Sequence, residues 1–172
     1  MAGTRHLQVA IKTAWDAGVA GAFTALWSTA DKSRYESALE DTEAAQGMPF
    51  PYCVFTALSG TTVGRMSGAA GDAESVNREL REVPVHFRIH TRTRDDDGRM
   101  AKEIGADLAD SIMQVYGGAL KAGSGAELTT MGEGAHVRTQ YQTDYGLPEG
   151  DDNWLWIVSY IFTVDMPVAT GS

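Results

Sequence analysis

Leu7, Ile11, Trp15 and Val19 recur at every fourth position within residues 5–27, and Ala10, Ala14 and Ala22 fill the adjoining stripe. That spacing predicts an amphipathic helix with one core face. Gly18 and Gly21 each cost about 1 kcal/mol relative to Ala in a helix interior, so the second half either bends or uses the glycines for close packing. Residues 31–46 are polar and acidic, with Tyr35 and Leu39 four apart. They fit either a short second helix or an irregular surface excursion.

The pattern changes at Pro49-Phe50-Pro51, which forbids a helix, and Tyr52-Cys53-Val54-Phe55-Thr56-Ala57-Leu58 then reads as a strand. Ser59-Gly60 offers a tight turn, so residues 61–66 are expected to return as the partner strand of a first hairpin. Residues 81–93 alternate with period two. Val83, Val85, Phe87 and Ile89 point to a core, while Glu82, Pro84, His86, Arg88 and His90 point to solvent or a partner. Pro84 has no N–H to donate, which favours a sheet edge over part of this strand. The charged stretch 91–98 reads as a turn.

Met100, Ile104, Leu108, Ile112 and Val115 make a continuous stripe within residues 98–116 that ends at Gly117-Gly118. It predicts a second long helix, with Asp95 to Asp97 as capping residues and favourable charge at its N-terminus. Glycines at 123, 125, 132 and 134 punctuate a short strand expected around Leu128, and residues 137–145 and 153–166 read as further strands. The order predicts an α+β fold: a mostly antiparallel sheet with two main helices packed on it. A single domain is expected over residues 1–170, with 171–172 as linker outside it.

The last strand, residues 153–164, carries large apolar side chains on both faces. Trp154, Trp156, Val158, Tyr160, Phe162 and Val164 share one face, and Leu155, Ile157 and Ile161 share the other. Either the strand is central and covered on both sides, or one face meets another subunit.

Net charge is −9, from 14 Lys and Arg against 23 Asp and Glu. Nucleic-acid affinity draws on clustered Lys and Arg, so a DNA-reading or polybasic membrane surface is not expected. Gln8 and Lys12 interrupt the N-terminal apolar stretch, which argues for synthesis in the cytoplasm. Residues 154–164 fall short of the ~20 apolar residues of a membrane helix. Cys53 is the only cysteine, which excludes an internal disulfide, and its apolar setting suits a small buried thiol.

Candidate chemistry is sparse. His86 and His90 share a strand face and could begin a metal site with Asp95 to Asp97 nearby, yet a catalytic metal generally takes three protein ligands. A solvated or interfacial strand face is the simpler expectation. Glu103, Asp107 and Asp110 cluster on the side of the second helix away from its apolar stripe, as an acidic solvent face does. The glycine-containing stretches from Gly123 and from Gly132 lack the third glycine of a dinucleotide fingerprint, and there is no nucleophile elbow and no Walker-type glycine-rich loop leading into a Lys-Ser/Thr. No enzyme activity, metal or cofactor is therefore expected.

An N-terminal amphipathic helix, Pro51-Tyr52-Cys53-Val54-Phe55 opening a strand, the alternating strand 83–89 leading through Thr91 to Arg94 into the helix 98–116, and a long aromatic final strand follow one another over nearly the whole chain. This order resembles the tail-terminator, or tail-completion, proteins of long-tailed bacteriophages. The resemblance implies a structural virion protein in the tail, assembled in the host bacterial cytoplasm. Such a protein forms a ring with itself, commonly a hexamer, at the head-proximal end of the tail, where it ends tube growth and offers the head-joining surface. The implied partners are the tail-tube protein and the head-tail connector, and DNA passes through without specific binding. A head-tail joining (neck) or minor tail protein would carry a similar signature, and a small metal- or ligand-binding domain using the His86/His90 face is the reading from another class. Arg138, Tyr141, Tyr145 and Trp154 are the expected subunit contacts. On a ring, some of Glu127, Glu133, Asp144, Glu149, Asp151 and Asp152 are expected to line the opening.

Overall fold

Leu7, Ile11, Trp15 and Val19 are fully buried, and the first four-residue periodicity folds as helix α1, Ala2–Gly18. The structure, a computed structural model, describes residues 2–40, 47–66, 78–118 and 135–167. Helix α1 stops after Gly18 and the chain resumes as α2, Ala20–Thr24. Close packing accounts for Gly18, because a Cβ there would stand 2.6 Å from Val115 Cγ2, whereas the space beside Gly21 is open. A third helix, α3, covers Thr29–Arg34, and Ser28 Oγ caps it by accepting the Asp31 N–H at 3.1 Å. Leu39 leaves the helical register and joins the two-residue strand β1, Leu39–Glu40. Residues 41–46 lie outside the described residues.

The remaining strands are β2 (Tyr52–Ala57), β3 (Thr61–Met66), β4 (Arg78–Arg92), β5 (Ala135–Pro148) and β6 (Asn153–Pro167). They form a six-stranded, mostly antiparallel sheet in the order β1-β2-β4-β6-β5, with β3 also paired to β4. With its helices the chain is a single α+β domain. The expected hairpin between 52–58 and 61–66 is not formed. Both segments instead lie along the same edge of β4, Ala57 opposite Val85 and Thr61 opposite Glu82, as one long strand interrupted at Leu58 to Gly60. Alternation showed two strands but not that Ser59-Gly60 offsets the chain without reversing it.

Pro84 is likewise not at a sheet edge: β4 is flanked by β6 along its whole length and by β2 and β3 on its other side. The missing donor is tolerated because Pro84 sits at the break between β2 and β3, where its carbonyl accepts the Leu58 N–H at 2.9 Å. In a strand N–H and C=O of one residue face the same way, so the absent N–H falls in that gap.

Helix α4, Ala101–Tyr116, packs against β4 and β6. Ile104, Leu108 and Ile112 are buried as expected, but Met100 is 60% exposed. It occupies the N-cap position, one residue before the helical repeat begins. Asp95 to Asp97 do not cap the helix: Asp96 and Asp97 pair with Arg94, and Asp97 also accepts the Arg99 N–H. Thr93 Oγ1 accepts the Ala101 N–H and Glu103 accepts the Met100 N–H in their place. Leu108→Ala should cost about 2–5 kcal/mol in chemical unfolding; a loss below ~0.5 kcal/mol, typical of surface sites, would show that the stripe is not core.

Two phenols tie α4 to its neighbours, one to α1 and one to β6. Tyr116 donates to the Ile11 carbonyl and Tyr160 to the Gly117 carbonyl, both at 2.6 Å. Burial raises the pKa of both phenols above the usual tyrosine value. Tyr141 is raised to about 12, by burial first and then by its hydrogen bond to Asp144. A folded pKa above the unfolded one means the folded state holds its proton longer. The stability it contributes is therefore complete below pH ~10, the unfolded tyrosine value, and is lost as pH rises toward and past the folded values. Alkaline titration followed by circular dichroism should show unfolding beginning above pH ~10, and Tyr116→Phe should shift that onset to higher pH.

Candidate functional site

Helices cover one face of the sheet, and among the described residues no helix covers the other. The covered face takes the odd positions of β4 and the even positions of β6, including Val85, Phe87, Ile89, Val158, Tyr160 and Phe162, all within the hydrophobic core. The open face takes Arg88, His86 and His90 from β4 and, opposite them across the register, Ile157, Ser159 and Leu155 from β6. Ile161 lies opposite Pro84 and Val54 opposite Arg88. Val54 is 5% exposed and yet stands apart from the main core. The expected two-sided apolar character of β6 is thus present, with a helical cover on one side only among the described residues.

A depression of about 370 Å³ crosses four strands of this face, lined by Thr56, Leu58, His86, Arg88, Tyr145 and Ile157. Leu58, Tyr145 and Leu147 are each close to half exposed. Arg88 donates to Thr56 Oγ1 at 3.1 Å, and its Nε is buried with no hydrogen-bond partner among the described residues. At one end of the face Arg78 pairs with Asp165 at 2.8 Å and Arg138 approaches Glu82 at 3.6 Å. At the other, His90 bonds Glu149 at 3.0 Å and stacks on Tyr52, while Arg92 lies over the Phe50 ring.

The four residues expected at subunit contacts do not share one surface. Tyr145 and Arg138 belong to the open face. Tyr141 packs edge-on against Tyr160 on the helix side and donates to Asp144, while Trp154 lies below Lys102, which stands 5.6 Å from its ring. Asp144 also accepts from Trp156 Nε1 and Glu149 is held by His90, so neither is a free carboxylate. Asp151 and Asp152 are exposed in the turn joining β5 to β6; Glu127, Glu133 and the strand expected near Leu128 lie outside the described residues.

Each imidazole on the face has its own neighbour: His86 Nδ1 is 2.8 Å from Ser159 Oγ, and His90 has Glu149. Among the described residues no three His, Cys, Asp or Glu side chains gather as a metal group. Cys53 is fully buried, and burial pushes its thiol well above the usual range, which leaves it unreactive as a nucleophile. Glu103, Asp107 and Asp110 are exposed on α4, with Asp107 paired to Arg99. Arg88 is the residue whose place the sequence did not disclose. Its outward direction was legible, but the apolar residues of β2, β5 and β6 around it depend on the register.

Gly146 marks where β5 must pass under two tryptophans: a Cβ there would stand 2.7 Å from Trp156 Cε3 and also strike the Trp154 indole. Gly146→Ala should destabilise the fold by about 1–3 kcal/mol in thermal or urea unfolding. No change would mean that both indoles move freely at this edge.

No family model and no curated protein sequence matches the chain.

Proposed function

We propose that this protein is a structural subunit of a long-tailed bacteriophage that closes into a ring, six-membered by resemblance, at the head-proximal end of the tail. There it ends tail-tube growth and offers the surface that joins the head. The observation that carries this reading is the apolar character of the sheet face that no described helix covers, where Leu155, Ile157 and Ile161 are only partly buried and Leu58, Tyr145 and Leu147 stand exposed. An antiparallel sheet can leave its second face to water, but exposed apolar side chains on that face favour a partner there, and a head-to-tail contact that closes by rotation gives a ring. The role requires no catalytic group and no cofactor. A net charge of −9 per subunit, repeated around a ring, disfavours retention of DNA in transit, with salt screening the field beyond ~8 Å.

The test is to add the purified protein to polymerising tail-tube subunits of the same virus. Tubes should stop growing once it binds one end, and the length distribution should narrow. Tubes that lengthen as they do without the protein would overturn the role. Zinc titration separates the metal-binding alternative on the His86/His90 face, which requires a strong rise in melting temperature.

A further inference from the structure

We infer that the depression around Arg88 is the seat for the acidic turn between β5 and β6, residues 149–152, of a second copy of this chain; the inference rests on the ring reading. The seat is built around an unanswered charge. Among the described residues no carboxylate lies within ion-pair distance of Arg88, although Arg78, Arg81, Arg94, Arg99 and Arg138 each have one. Its Nε is cut off from solvent without an acceptor among the described residues, and Leu58, Tyr145 and Ile157 make the walls apolar. A guanidinium in such surroundings gains more from a carboxylate than one in water does, because the local dielectric is lower and part of the desolvation has already occurred.

The turn supplies what the seat lacks. Glu149-Gly150-Asp151-Asp152 contains three carboxylates and no base, and its residues are exposed. The acidic turn at Asp95 to Asp97 is by contrast answered by its own Arg94. The turn is also held in shape: the Glu149 N–H donates to the Asn153 carbonyl at 2.9 Å and the Thr93 N–H to the Asp152 carbonyl at 2.8 Å. Glu149 is bound to His90, which leaves Asp151 and Asp152 with no side-chain partner among the described residues. A preformed turn loses little entropy on docking. Leu147, half exposed just before the turn, can lie against the apolar wall of the neighbour. Seat and turn are different patches of one chain, so their contact can repeat head-to-tail around a ring, as the ring reading requires. Asp151 and Asp152 are then interface residues and not part of a channel lining.

The experiment follows self-association of the full chain by native mass spectrometry, together with binding of a labelled, end-blocked peptide copying residues 147–154. Arg88→Met and the pair Asp151→Asn/Asp152→Asn should each weaken association at least tenfold, and Arg88→Met should abolish peptide binding while its melting temperature stays level or rises. Arg88→Asp combined with Asp151→Arg/Asp152→Arg should restore association. Rings that form as readily with Arg88→Met would overturn this contact and leave the ring reading in place. A wild-type chain that binds the peptide through Arg88 but never assembles would keep the contact and remove the ring. Neither binding nor assembly would remove both.

Discussion

Phe87→Ala should lower the unfolding free energy by about 3–5 kcal/mol, the upper range for loss of a buried aromatic side chain. Phe87 is fully buried at the centre of β4, and its ring meets one aromatic ring from each of four other elements. Trp15 of α1 is stacked at 6.0 Å, Tyr116 of α4 at 5.1 Å and Phe55 of β2 at 6.4 Å, and Tyr160 of β6 meets it edge-on at 6.0 Å. Tyr116 and Tyr160 are further fixed by their hydroxyl bonds to the Ile11 and Gly117 carbonyls. Rings held this way cannot collapse into the space left behind, so the cavity cost adds to the lost burial. Urea unfolding with an unchanged slope measures it, and Val137→Ala, at a 55% exposed site on the edge strand, serves as the control expected within ±0.5 kcal/mol. A Phe87→Ala loss under 1 kcal/mol would mean that this cluster does not organise the core.

If the proposed ring forms, Tyr145→Ser combined with Leu147→Ser should leave the fold intact and dissolve it. Both side chains are 46% exposed on the open face, so their truncation costs the isolated subunit little. At a subunit contact, apolar anchors of this kind contribute about 1–2 kcal/mol. On the proposed six-membered ring two such anchors are lost at each of six contacts, so the loss reaches roughly 12–24 kcal/mol for the whole particle. Analytical ultracentrifugation should show subunits where wild type gives rings, with the same melting temperature for the subunit. Rings of normal size from the double variant would place the contact elsewhere.

The helix stripes and the alternation of β4 were legible because burial there follows a single local period. Leu7 to Val19 and Val83 to Ile89 are each buried as their spacing requires. Features set by pairing were not legible. The Ser59-Gly60 step could equally reverse or offset the chain, and only the register of β2 and β3 along β4 decides for an offset. Pro84 was misplaced for the same reason, since the gap that accommodates it exists only once β2 and β3 share one edge. Thr91 shows the converse: it continues the inward register of Ile89 and is fully buried, donating to the Ala101 carbonyl at 2.7 Å, although its polarity placed it in a turn. The candidate site was legible by halves. The outward face of β4 and the two-sided apolar character of β6 were evident from sequence, but which face of β6 lies away from the helices, and the depression at Arg88, need β2, β4, β5 and β6 side by side.

Electron microscopy of the purified protein at high concentration, together with tail tubes from the same virus, tests the ring most directly. Annular particles of uniform size are expected, alone or seated on one end of each tube. A strict monomer at millimolar concentration that also leaves the tubes bare would remove the ring and the terminator role with it.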